Sequence, residues 1–149
     1  MLSENQPSLG STLHQLSCAI DRRSDLLLQQ KYKIGFSQFK ILTALLRREG
    51  VQQREIADFL DQTEASISRQ IKLLVSAGLV TSRRDPTNQR QRITGLTRKG
   101  MNIARAAMSS LENLHAPMFL RLTQAEERGL KMILDKMYTY ICAAEGKQL

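Results

Sequence analysis

Along most of this chain apolar residues return every third or fourth position, the spacing of a helix with one buried face; in one short region the spacing becomes that of strands. Residues 1–10 follow neither pattern: they are polar, carry Pro7 and Gly10, and read as a flexible arm. From Ser11 or Thr12 as a cap to about Lys31, Leu13, Leu16, Ile20 and Leu27 form a stripe that Leu26 and Leu28 widen. Gly35 interrupts. Ser37 is placed to cap a helix to about Arg48, with Phe39, Leu42, Leu45 and Leu46 on its core face and Gly50 ending it. A short helix over 53–60 turns Ile56, Phe59 and Leu60 inward. Only Asp61, Gln62 and Thr63 separate it from another amphipathic helix, in which Ile67, Ile71 and Leu74 share one face and Gly78 is the stop. Leu79-Val80-Thr81 and Arg92-Ile93-Thr94 have strand character on either side of an arginine-rich turn over 83–90. Thr97 then caps a helix to about Leu114, with a narrow face of Ile103, Ala106, Ala107 and Leu111; Pro117 predicts a break or kink near His115. Thr123 and Glu126 have the spacing of a capping box for a last helix, striped by Leu130, Ile133, Leu134, Met137 and Ile141.

Two short helices joined by a three-residue turn, the second opening on polar residues and running into a hairpin, form a helix-turn-helix with a wing. The predicted fold is therefore mainly α with a small β-hairpin wing. A reading lobe at about 36–100 is flanked by an N-terminal helix (11–34) and C-terminal helices (about 101–149). No repeat or long linker divides residues 11–149, which are taken as a single domain. The flanking amphipathic helices must cover their stripes, either on one another or on a second copy of the chain, which would make them dimerisation helices.

Composition sharpens this picture. The chain has 149 residues, enough for one core, and a net charge of +8. That charge favours an anionic partner, and its concentration at Arg83, Arg84, Arg90 and Arg92 puts it on the wing. Cys18 and Cys142 are far apart and neither belongs to a C-x-x-C pair, so no metal site is expected. Two free thiols, no apolar run of membrane-spanning length and no signal-like N-terminus point to a cytoplasmic protein away from membranes. There is no glycine-rich phosphate loop, no H-E-x-x-H and no nucleophile elbow; His14 and His115 are isolated. The expectation is a protein without enzymatic activity or cofactor.

The candidate chemistry is that of reading double-stranded DNA. Thr63, Ser66 and Ser68 begin the second helix of the pair, where hydroxyls meet phosphates or base edges; for Thr63 capping is the competing role. Glu64 either accepts from a cytosine or complements the helix dipole. Arg69 and Lys72 are placed to clamp phosphates, and Arg69 can also read guanine. Gln70 is either an adenine reader or plain surface. Arg90 fits insertion into a narrow minor groove, with Arg83, Arg84 and Arg92 behind it on phosphates. A charge run of this kind can also be a solvated turn, and a winged helix can instead bind protein, but a protein-binding wing has no evident need of four arginines. Cys18 and Cys142 are expected to be buried, inert thiols.

Several segments in order resemble one family. Gln38-Phe39-Lys40-Ile41-Leu42, Glu55-Ile56-Ala57, Ala65-Ser66-Ile67-Ser68-Arg69, Leu74 through Gly78-Leu79-Val80, Asp85-Pro86 and Leu96-Thr97-Arg98-Lys99-Gly100 are similar to the motifs of the MarR winged-helix regulators. The resemblance covers residues 36–100. It implies a homodimer with interlocked terminal helices, acting on a near-palindromic operator as a transcriptional regulator, more in the manner of a repressor. It also implies recognition helices in successive major grooves, wings in flanking minor grooves, and release by a small aromatic or phenolic effector, for which Tyr32 is a candidate lining residue. Some relatives sense peroxide through a cysteine in the first helix, so a redox-responsive regulator using Cys18 is an alternative. Two positions depart from the family pattern. Asn88 stands where the wing usually carries an aspartate ahead of its arginine, replacing an ion pair to Arg90 with a neutral hydrogen bond and predicting a looser wing tip. Ser82 stands where arginine is common.

Overall fold

The computed structural model describes residues 7–48 and 50–144. They fall into two compact units, 1–111 and 112–149. The expected arm at 1–6 lies outside the described residues.

In the first unit the elements are α1 (Leu9–Tyr32), α2 (Phe36–Arg47), β1 (Val51–Gln52), α3 (Gln53–Leu60), α4 (Glu64–Ser76), β2 (Val80–Arg84), β3 (Arg92–Leu96) and the first part of α5 (Arg98–Phe119). Leu28, Ile41, Leu42, Ile56, Ile67, Ile71 and Leu74 are almost wholly buried and form the core shared by these helices. Burying such side chains is worth about 1.5–3 kcal/mol each relative to exposure. The sheet is antiparallel in the order β1-β3-β2, with Val51 opposite Thr94 and Thr94 opposite Ser82. The wing is thus three-stranded; β1, only two residues long, is too short to show an alternating pattern.

Helix ends differ from the sequence expectation where a side chain from another turn does the capping. α1 begins at Leu9, two residues inside the expected arm, because Ser8 rather than Ser11 or Thr12 caps it: the Ser8 hydroxyl accepts the Ser11 N–H at 3.2 Å. α2 is capped at Gly35, not Ser37. Asp25 reaches across from α1 to accept the Phe36 N–H at 2.7 Å, and the Gln38 side chain accepts the Gly35 N–H at 3.0 Å. Phe59 is not inward but 61% exposed. α3 has two turns, Ile56 and Ala57 take its buried face, and Phe59 lies on the side away from Ala57, its ring 5.9 Å from the Arg47 guanidinium.

The buried face of α5 is Gly100, Ala104, Ala107 and Leu111; Ala106 is exposed. Pro117 does not end this helix, which continues to Phe119. A proline removes one N–H, and the next turn still closes through Leu120 N–H to the Ala116 carbonyl at 3.0 Å. On α1 only Ser24 and Leu28 are buried, leaving Leu16 and Leu26 about half exposed. Cys18 is exposed rather than buried, its Sγ 3.6 Å from His14 Nε2.

The second unit holds the end of α5 and α6 (Gln124–Ala144). The Thr123–Glu126 capping box forms: the Thr123 N–H donates to Glu126 Oε2 at 2.8 Å, and the Glu126 N–H donates to the Thr123 hydroxyl at 3.3 Å. Among the described residues, the stripe Leu130, Ile133, Leu134, Met137 and Ile141 is left 39–52% exposed. Cys142 is buried.

Candidate nucleic-acid interface

The turn between α3 and α4 requires a left-handed residue, and Asp61 supplies it at φ 53°, a conformation its short polar side chain tolerates. Gln62 N–H returns to the Ala57 carbonyl at 2.9 Å. Thr63 caps α4, its hydroxyl accepting the Ser66 N–H at 3.2 Å, and Ser66 donates to the Gln62 side chain at 3.4 Å. Ile67, Ile71 and Leu74 bury one face of α4 against the core. The opposite face is fixed as a consequence: Ala65, Arg69, Lys72, Leu73 and Ser76 are exposed, with Ser68 and Gln70 partly so. Leu73 and Ala65, which the sequence reading left out, give this face an apolar component.

The hairpin places Arg83 and Arg84 at the end of β2 rather than in the turn, and Asn88 and Arg90 in the turn itself, all exposed. The turn is organised around Asp85. Its carboxylate accepts from the Thr87 hydroxyl at 2.6 Å, the Thr87 N–H at 2.8 Å and the Gln52 amide at 3.5 Å. Those bonds, the Thr87 hydroxyl's first, hold its pKa below the ordinary value, against the opposing effect of burial. Gln91 N–H closes onto the Asn88 carbonyl at 2.9 Å, and Asn88 Oδ1 accepts the Arg90 backbone N–H at 3.2 Å. Asn88 therefore shapes the backbone under Arg90. Arg92 folds back along the sheet, donating from Nε to the Ser82 hydroxyl at 3.0 Å and from Nη2 to the Ser82 carbonyl at 3.1 Å. The serine found where arginine is common is the acceptor that orients Arg92.

Among the described residues, no carboxylate lies within ion-pair distance of Arg69, Lys72, Arg83, Arg84, Arg90 or Arg92; the ion pairs formed are Arg48–Glu55, Arg54–Asp58 and Lys131–Asp135. The cations of α4 and the hairpin thus present uncompensated charge to solvent.

A further network sets the hairpin against α4. Thr97 N–H donates to the Leu79 carbonyl at 3.0 Å and its hydroxyl to the Gly78 carbonyl at 2.7 Å, while that hydroxyl accepts the Gly100 N–H at 3.0 Å. Lys99 donates to the Ala77 carbonyl at 2.9 Å. Gly78 sits at φ +71°, and a Cβ on Gly100 would lie 1.9 Å from the Leu79 carbonyl oxygen, so α5 starts in direct contact with the backbone that leads into β2. Sequence reading found Thr97 as a cap but not this lock; the signal was the pair of glycines bracketing the hairpin. Tyr32, the candidate ligand residue, has its hydroxyl engaged at 2.9 Å with the Ala106 carbonyl and at 2.7 Å with the Ser110 hydroxyl, tying α1 to α5. Among the described residues no group of His, Cys, Asp and Glu is arranged to hold a metal, and no helix is long and apolar enough to cross a membrane.

A helix-turn-helix followed by a short hairpin sheet defines a winged helix-turn-helix protein. Residues 32–91 match the model of the MarR family. The Bacillus subtilis protein YdgJ, described as an uncharacterized HTH-type transcriptional regulator, is 26% identical over 104 residues, 70% of this chain; the chain spans 63% of that relative's length. The fold matches Staphylococcus aureus MepR in its DNA complex (TM-score 0.80, 23% identity, 91% of this chain and 99% of that one). It also matches a mutant Escherichia coli MarR complexed with operator DNA (TM-score 0.76, 25% identity, 87% and 92%).

Proposed function

We propose that this chain is a transcriptional regulator that binds double-stranded DNA as a homodimer, placing α4 in a major groove and the β2–β3 hairpin in the adjacent minor groove. The observation that carries the reading is the set of unpaired cations on those two elements, set at a fixed angle by the Thr97–Gly100 lock. Arg69, with Ser66, Ser68 and Gln70, faces base edges or their phosphates. Arg90 enters the minor groove, Arg83 and Arg84 neutralise phosphates beside it, and Thr63 acts as a cap. The relatives bound to DNA support this reading by likeness of fold. Regulation acts by occupancy of an operator, as a repressor, in the cytoplasm beside the chromosome, with no chemical step.

The second copy covers the α6 stripe. Five large apolar side chains, each left substantially open, are more than a lone helix keeps in water without a partner, and a two-fold pair offers each copy the same stripe. A small aromatic or phenolic ligand that shifts DNA affinity is proposed from the family resemblance alone; phenolic acids that raise the melting temperature of the chain and weaken its DNA complex would identify it.

Selection of bound fragments from genomic DNA, followed by gel-shift titration, tests the reading. A recurrent near-palindromic site whose affinity drops on Arg90→Ala is expected. Failure to retain any duplex at low ionic strength would reject it.

A further inference from the structure

Between α4 and the hairpin lies a cleft of about 360 Å³. α4 lines it with Ser68, Lys72 and Ser76, which stand four residues apart on one stripe of the helix. Ser82 and Arg92 come from the hairpin and Gln53 from the start of α3. Ile71 and Val75 complete the lining, and among the described residues no acidic side chain faces this space. Lys72 has no ion-pair partner among the described residues, and Arg92, aimed by its two bonds to Ser82, has used only two of its five N–H donors. Cations, hydroxyls and an amide without a carboxylate suit an anion that offers several acceptor oxygens.

The position of the cleft decides which anion. On the reading proposed above, on which this inference rests, α4 and the hairpin occupy neighbouring grooves. Two neighbouring grooves of a duplex are separated by one sugar–phosphate strand, so that strand must cross between the two elements, over this cleft. We infer that the cleft seats a backbone phosphate of the strand dividing the two grooves, gripped from the helix side by Lys72 and from the wing side by Arg92. Ser82 is a positioning residue: it touches no DNA in this scheme but holds Arg92 toward the seat. The seat fixes register without reading sequence, because phosphates carry no base identity. It also makes the angle between helix and wing part of the recognition, since both walls must meet one phosphate at once.

The test uses the full chain and its selected duplex, in which one uncharged methylphosphonate is moved a nucleotide at a time along the strand. Loss of a charge-assisted contact at one or two adjacent positions should weaken binding about tenfold. In Lys72→Met combined with Arg92→Gln the same substitution should make no difference, while Arg90→Ala should keep the full effect. Both replaced side chains are exposed, and matching thermal melts would show that the double variant is folded; Lys72→Met alone should halve the logarithm of the effect. Ser82→Thr, which keeps the acceptor, should retain the sensitivity and Ser82→Ala should reduce it. Duplex binding with no position that loses its sensitivity in the double variant would overturn the seat and leave DNA binding standing. No duplex binding at all would overturn both. A cleft built for free phosphate would show stabilisation by millimolar inorganic phosphate and no methylphosphonate effect, which also overturns the inference.

Discussion

Asp85 is the sole acidic residue between Val80 and Leu96, and it holds the basic turn together. Its folded pKa is lowered, so its contribution to the turn is complete above the unfolded value near 3.8 and is lost as pH falls through the lower folded value. Glu126, lowered by the Thr123 N–H and hydroxyl, follows the same sign at the start of α6. The Thr87 amide should therefore keep its NMR position from neutrality down to about pH 5 and move only in acid; movement near neutral pH would contradict the assignment. Arg90→Ala should weaken operator binding by about 1–3 kcal/mol in an anisotropy titration. Gly100→Ala should destabilise the fold by about 1–3 kcal/mol in urea unfolding, because the added methyl meets the Leu79 carbonyl and backbone must shift. The partners of individual side chains were the least legible part of the sequence. Asp85-Pro86-Thr87 announces a turn, but nothing in the sequence says that Gln52, thirty-three residues earlier, donates to Asp85. Nor does Ser82 alone reveal that it orients Arg92, since that bond exists only in the register that sets Arg92 opposite Arg84, next to Ser82.

At the scale of elements, α4 was legible because Ile67, Ile71 and Leu74 repeat at helical spacing and Thr63 opens the helix as a polar cap. Its outward residues follow from that buried face. Thr63→Ala should cost about 1 kcal/mol of stability through the lost cap. A drop in DNA affinity larger than that loss would show that Thr63 also touches DNA. The helices that failed to follow expectation did so for identifiable reasons. α3 is too short for its stripe to distinguish Phe59 from Ile56, and the small residues of α5 leave the rotation of its face open by one position. β1 shows no pattern because two residues cannot alternate. The cap of α2 comes from Asp25, on another helix, which no local motif encodes.

For the molecule as a whole, the stripe on α6 is legible as amphipathic but not as to what covers it, because one sequence does not distinguish a neighbour in the same chain from a second copy. Among the described residues the stripe stays about half exposed. Ile133→Glu should shift the protein from dimer to monomer in sedimentation velocity, and DNA affinity should fall with it, since two half-sites are then read independently. An unchanged dimer would place the interface elsewhere. The most direct measurement of the central claim is the affinity of the full chain for its selected duplex across a series of salt concentrations. The account predicts that log K falls linearly with log salt, by about 0.9 per phosphate neutralised, several per copy, and less steeply for Arg90→Ala. Binding that is absent at low ionic strength, or indifferent to salt, would contradict it.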